Sequence, residues 1–387
     1  MYSLQSTEVS RLWVLLVLLL STPMYWEVDA ISFKDQMGMF GDLKPPQLNK
    51  PHLGVKGSDR TFKIAIMADL HYGETAWTSW GPHQDVKSSR VQDFILDAEK
   101  PDLVIYLGDQ VTANNIVAAN ASKYWVQSMY PASRRSIPHA SVYGNHDDAF
   151  TVYEDDWFGP SGIPGLPAFD VGYYHSTTRE DLTKEEMGMP TSVSRPGPEG
   201  LWPSMSNFVL TVGSGRSPGT AAALLYLLDS GGGSYPEIIS ASQAAWFKAT
   251  ATEVNPAGSI PELIFFHIPT KAHAKVGPSP KSAIEHPCVG SINEEEVASQ
   301  VQEKGLMDVL TKRKAVKAVF TGHNHGLDWC CPHQSLWLCF ARHTGYGGYG
   351  SWTRGARILL LAEEPEFSLK SWIKLENGEV VADIDLV

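Results

Sequence analysis

Five times along this 387-residue chain, a short apolar run stops at side chains able to bind metal ions. Phe62–Ala68 ends at Asp69 and His71, Leu103–Leu107 at Gly108-Asp109, and His139–Tyr143 at Gly144-Asn145-His146-Asp147. Leu263–Phe266 ends at His267, and Val316–Phe320 at Gly322-His323-Asn324-His325. Short apolar runs bounded by turn-forming residues read as buried strands. In open α/β sheets, ligands gather beyond the carboxyl ends of the strands. The five ends are therefore expected at one edge of the fold.

The intervening chain supports an α/β reading. Val91, Phe94, Ile95 and Ala98 have helical spacing, and further helices are predicted around Ser242–Thr252 and Glu295–Leu310. Phe208–Val212 and Leu224–Leu228 read as strands, as do Leu336–Phe340, Ile358–Leu361, Phe367–Leu375 and Val380–Ile384. Strands alternate with helices first and then follow one another, which predicts two packed sheets flanked by helices rather than one doubly wound sheet. Residues 150–206, rich in Gly and Pro, are expected to form loops over the site, and a domain is expected over residues 61–387.

Arg11 precedes the apolar run Leu12–Leu20, which is too short to span a bilayer and fits a signal peptide over residues 1–30, followed by a lead-in over 31–60. A secretory route, with no membrane span in the mature chain, agrees with the acceptor sequon Asn120-Ala121-Ser122. The four cysteines, Cys288, Cys330, Cys331 and Cys339, permit three disulfide pairings and lack the CxxC spacing of a zinc ribbon. The net charge of -12 argues against a nucleic-acid-coating protein but not against a small anionic substrate, because bound metal ions reverse the local field.

Taken singly, Asp69-x-His71 and Gly108-Asp109 are ordinary turns, and His267 alone reads as a core histidine. Gly144-Asn145-His146-Asp147 is more specific, placing amide, imidazole and carboxylate at one strand end. Together and in order, the clusters point to a metal centre. Carboxylate and amide oxygens mixed with imidazoles suit iron, zinc or manganese. Two such ions can share one carboxylate and clamp both ends of an in-line displacement.

The series DLH, GDQ, GNHD, FFHIP and GHNH resembles the calcineurin-like metallophosphoesterase superfamily. Over roughly residues 60–375 it is most similar to the purple acid phosphatase-like group, the short plant and fungal proteins often called probable inactive purple acid phosphatases. The resemblance implies a four-layer α/β/β/α sandwich of two mixed β-sheets. It implies that Asp69, His71, Asp109 and His325 hold one metal, and that Asp109, as bridge, holds the second with Asn145, His267 and His323. His146 would contact the phosphate and assist the leaving group, and Asp147 would orient His146. Purple members carry a Tyr three residues after the bridging Asp. Here that position is Thr112, so the resemblance implies two divalent ions (Fe, Zn or Mn) in a colourless centre.

The activity so implied is hydrolysis of small phosphomonoesters by a metal-bridging hydroxide. The alternatives are a phosphodiesterase or nucleotidase on the same site, or a catalytically silent metal-binding protein. Trp77, Trp80, the segment His343–Trp352, Arg342 and Arg354 are candidate substrate contacts, with a surface or strand-end role as the plainer reading. His83, His139, His175, His273, His286 and His333 fall outside the motifs.

Overall fold

Ile64 and Ile66 face one buried cluster while Ala65 and Met67 face another. A strand buried on both faces must lie between two layers, and its sequence then reads as a continuous apolar run. The computed structural model describes residues 50–116, 118–148, 177–201, 205–217 and 219–387. The predicted signal segment, most of the lead-in, His175 and the stretches 149–176 and 202–204 lie outside the described residues.

In the first sheet, β1 (Thr61–Met67), β2 (Leu103–Leu107) and β3 (His139–Val142) run parallel. The second sheet contains β4 (Phe208–Gly213), β5 (Ala221–Leu227), β6 (Glu262–Phe265), β7 (Val316–Thr321), β8 (Cys330–His333) and β9 (Leu336–Phe340). Three antiparallel strands, β10 (Gly355–Ala362), β11 (Ser368–Leu375) and β12 (Val380–Asp385), complete the first sheet beside β1. The orders are β12-β11-β10-β1-β2-β3 and β4-β5-β6-β7-β9-β8. β5, β6, β7 and β9 are parallel, with β4 and β8 antiparallel at the edges.

The sheets pack face to face through Ile64, Ile66, Ile105 and Leu107 of one and Leu225, Leu263, Phe265 and Phe320 of the other. Each such side chain contributes about 1.5–3 kcal/mol on burial. The helices are α1 (Gly81–Glu99), α2 (Ala118–Ser133), α3 (Arg179–Gly188), α4 (Ala241–Val254), α5 (Lys271–Val276) and α6 (Leu306–Lys312). Val91, Ile95, Trp125 and Met129 of α1 and α2 cover Val104 and Tyr106 on the outside of the first sheet. Phe247 and Leu310 of α4 and α6 cover Tyr226 and Val319 on the outside of the second. The result is the predicted α/β/β/α sandwich. Among the described residues no helix is long and apolar enough to cross a membrane.

Two local expectations are corrected. The helix predicted over Glu295–Leu310 is confined to α6. Upstream, Gln300 and Val301 donate their backbone N–H groups to the carbonyls of Pro269 and Glu237, which takes them from the helical ladder. Within the expected loop region lies α3, started by Thr178, whose hydroxyl accepts from the Asp181 N–H at 3.1 Å. The cysteines pair as Cys288–Cys331 and Cys330–Cys339. The neighbours Cys330 and Cys331 take different partners because successive strand residues face opposite sides; Cys330 lies in the inter-sheet core and Cys331 in a cluster with Leu327 and Trp329.

Candidate metal centre

The parallel pairings bring five strand ends to one edge. Asp69 and His71 follow β1, Asp109 follows β2 and Asn145 follows β3. From the second sheet, His267 follows β6, and His323 and His325 follow β7. The turns are tight. Asp69, His71, Asp109 and His323 all adopt left-handed backbone, with φ of 57°, 50°, 50° and 71°. Before Asp109, Gly108 has φ 87°, and a Cβ there would lie 2.5 Å from His267 Nδ1, so the position requires glycine.

The side chains converge as two triads, Asp69/His71/His325 and Asp109/His267/His323, with ligand atoms within 4.8 Å of one another in each. Asp109 Oδ2 lies 3.0 Å from His267 Nε2 and 3.8 Å from His71 Nε2, so it faces both triads. His71 Nε2 and His325 Nε2 lie 3.2 Å apart. Three rings are anchored from behind. His267 Nδ1 donates to the Leu107 carbonyl at 2.7 Å and His325 Nδ1 to that of Tyr349 at 3.0 Å, while His71 Nδ1 meets the Thr112 hydroxyl at 2.9 Å. Anchoring Nδ1–H to an acceptor leaves the Nε2 lone pair facing inward, which is how proteins prepare an imidazole for a metal.

Burial lowers His71 well below the usual histidine range and holds His323 at about 3 and His325 at about 4, so all three are neutral, the ligating form. Burial drives Asp69 up to about 8, with Asp109 adding to the rise. Burial also pushes Asp109 up, but His267 and His146 outweigh it and hold the carboxyl well below its ordinary value. His267 is raised to about 9, because Asp109 and Asp69 overcome its own burial. Asp109 and His267 thus form an ion pair at 3.0 Å while Asp69 keeps its proton. A bound cation would take the place of both protons, because metal ligands must be deprotonated. The Asn145 side-chain oxygen is buried without a hydrogen-bond partner, as suits an amide ligand. This donor set fits a pair of hard or borderline cations.

His146 is half-buried beside the triads, its ring 5.1 Å from that of His71. Its N–H donates to Asp109 Oδ1 at 2.8 Å, and its carbonyl accepts from Ala113 at 2.8 Å. With Glu74, Thr112, His323, Gly348 and Tyr349 it lines a cavity of about 310 Å³.

Asp147 takes a different part from the one expected. Its carboxylate accepts four backbone N–H groups, from Gly144 (2.8 Å), Asp109 (3.0 Å), Gln110 (2.8 Å) and Val111 (3.1 Å). It clamps the loop after β3 to the loop after β2, and its oxygens are spent on the backbone rather than on the His146 ring. Arg342 and Arg354 are also turned inward. Arg342 pairs with Asp328 at 2.9 Å, and Arg354 donates to the Trp352 and Gly350 carbonyls. His343 is buried with its ring tilted against that of His325, the centroids 3.9 Å apart. Of the His343–Trp352 segment, Gly348 and Tyr349 reach the cavity, and Tyr349 stacks on His325 at 4.0 Å. Glu74, which accepts from the Gly348 N–H, carried no motif in the sequence.

Residues 62–327 match the calcineurin-like phosphoesterase family. The chain belongs to this family. Among its relatives, "Probable inactive purple acid phosphatase 14" of Arabidopsis thaliana is 27% identical over 363 residues, covering 83% of this chain and 82% of the relative. "Phosphatase DCR2" of Saccharomyces cerevisiae is 25% identical over 310 residues, 75% of this chain and 48% of that one. Among solved structures, a dimetal phosphatase from Danio rerio superposes with a TM-score of 0.52 at 15% identity, covering 84% of this chain and 98% of that chain. As a calcineurin-like phosphoesterase, the chain places its ligand-type side chains within the matched segment.

Proposed function

We propose that this centre hydrolyses phosphoesters, with small phosphomonoesters as the substrate class and a pair of divalent iron, zinc or manganese ions at work. The observation that carries this reading is the two triads meeting at Asp109, with the His71, His267 and His325 rings anchored through Nδ1 so that Nε2 faces inward. Asp69, His71, Asp109 and His325 would hold one ion, and Asp109, Asn145, His267 and His323 the other. When bound, such a pair activates water and neutralises charge on the phosphoryl group.

The chain's own residues supply the rest. His146, its backbone fixed between Asp109 and Ala113, holds the phosphoryl group and delivers a proton to the leaving oxygen. Asp147 keeps the loops that carry Asp109 and Asn145 in register. A cavity of about 310 Å³ suits a small ester. The Arabidopsis relatives carry the word inactive in their names; the full set of ligand-type side chains together with His146 supports catalysis here. The two disulfides support a secretory location, since such bonds persist in oxidising compartments.

Purified full-length protein should contain about two first-row metal ions per chain and hydrolyse an aryl phosphomonoester faster than the matching diester. His146→Ala should lower turnover by about 10²–10⁴-fold and keep its metal. A well-folded wild type without metal or activity would sink the reading. Loss of metal in His146→Ala would overturn the role given to that residue.

A further inference from the structure

Arg179, at the start of α3, is fully buried and belongs to none of the motifs. Its guanidinium pairs with Asp229 after β5 and, at 3.0 Å, with Asp148 after β3. It also donates to the carbonyls of Gly144 (3.2 Å), Gly231 (3.3 Å) and Gly232 (2.8 Å). The rings of Tyr143 and Tyr235 lie 5.3 and 4.7 Å from it. One cation thus joins the loop after β3, in the first sheet, to the loop after β5, in the second.

Asn145 lies in the first of these loops and is backed by the second. Gly144, whose carbonyl Arg179 takes, precedes it directly. Gly232, also held by Arg179, backs it so closely that a Cβ there would lie 2.3 Å from Asn145 Cβ. A neutral amide is the weakest donor of its set, with no charge to draw a cation. Its contribution depends on being fixed in advance.

We propose that Arg179 is a positioning residue for the second metal subsite: it holds Asn145 toward Asp109, His267 and His323. The inference rests on the dimetal reading above. Outer partners of metal ligands typically change metal affinity by about 10–100-fold. Weakening of that size is expected at the second subsite, with the Asp69/His71/His325 subsite little changed.

The test strips full-length protein with chelator and reloads it with Mn²⁺. Bound metal per chain is read by equilibrium dialysis, and electron paramagnetic resonance separates a coupled pair of ions from a single one. Arg179→Lys keeps the charge but loses the planar fork. The triple variant Arg179→Met/Asp148→Asn/Asp229→Asn removes the fork without leaving buried carboxylates unpaired, and carries the test if the lysine variant does not fold. Asn145→Ala provides the single-ion reference. Arg313→Lys is the structural control, since Arg313 pairs at 2.6 Å with buried Glu262 at the opposite end of β6 from His267.

Both Arg179 variants should bind the second Mn²⁺ at least tenfold more weakly and give the spectrum of Asn145→Ala, while Arg313→Lys keeps the coupled pair at reduced stability. Folded Arg179 variants that retain both ions at wild-type affinity would overturn the proposal. A wild type that never takes up two ions would instead bring down the dimetal reading.

Discussion

At the scale of single residues, the centre concentrates backbone strain. Asp69, His71, Asp109 and His323 each hold a left-handed conformation that costs of order 1–3 kcal/mol outside glycine. The strain persists because hydrogen bonds over-determine it. His71 N–H donates to the Asp109 carbonyl at 2.9 Å, Asp69 N–H to that of Gly108 at 3.1 Å, and His323 N–H to Asp69 Oδ1 at 3.0 Å. Asp69 and His71, two residues apart, thereby face the same point. Thr112 serves the same end, because its hydroxyl fixes the His71 ring. Thr112→Val, close in volume but without the acceptor, should weaken metal binding at the Asp69/His71/His325 subsite by about 10–100-fold. Thr112→Ser should restore most of it. Isothermal titration with Zn²⁺ checks this, and equal affinity in the valine variant would remove Thr112 from the ligand shell. The ligand-type residues were legible in the sequence because each closes an apolar run with the right donor atom. Their anchors were not, since Leu107, Tyr349 and Thr112 meet His267, His325 and His71 only through the fold.

At the scale of elements, strands were easier to read than helices. β1, β2 and β7 are buried on both faces, so apolar runs marked them within a residue or so. The stretch 295–305 has the composition of a helix, but tertiary partners take its N–H groups. Short α5 was not predicted, and its capping box uses His273 in place of the usual Glu or Gln. His273 Nδ1 accepts from the Thr270 N–H at 3.3 Å, and the ring is packed among Phe266 and Phe340. Burial holds this histidine down at about 3, with nearby His333 lowering it further. Its folded pKa lies below the unfolded value of about 6.5. The unfolded chain therefore binds the extra proton between these values, and the stabilisation present above pH 6.5 is lost as pH falls toward 3. His273→Gln should be less stable at pH 7 yet lose less stability on acidification, the slopes differing by up to about 1.4 kcal/mol per pH unit. Urea unfolding at pH 7, 5.5 and 4.5 measures it; parallel curves would show that His273 does not govern the acid limb.

At the scale of the whole molecule, the ligand-type residues divide between the two sheets. Asp69, His71, Asp109 and Asn145 come from the first sheet, and His267, His323 and His325 from the second. The sandwich, the order of the motifs and their meeting at one edge were readable because parallel strands carry their ends to the same side. The link made by Arg179 was not, because a lone arginine after a loop gives no pattern. Ions bound across the sheets would act on the whole fold, since a ligand that binds only the native state stabilises it by mass action. At a hundredfold excess over its dissociation constant, each ion contributes about 2.7 kcal/mol. For a chain of this size that corresponds to a rise in melting temperature on the order of 5–10 °C for two ions. Chelator should therefore lower the melting temperature by this amount in one cooperative transition, and added Mn²⁺ should restore it. Asp109→Asn, which removes the carboxylate facing both triads, should melt at the same temperature with and without metal. Scanning calorimetry decides the matter. If chelation softened only the edge that carries the ligands, visible as local hydrogen exchange with no change in melting temperature, the ions would be bound by one sheet alone.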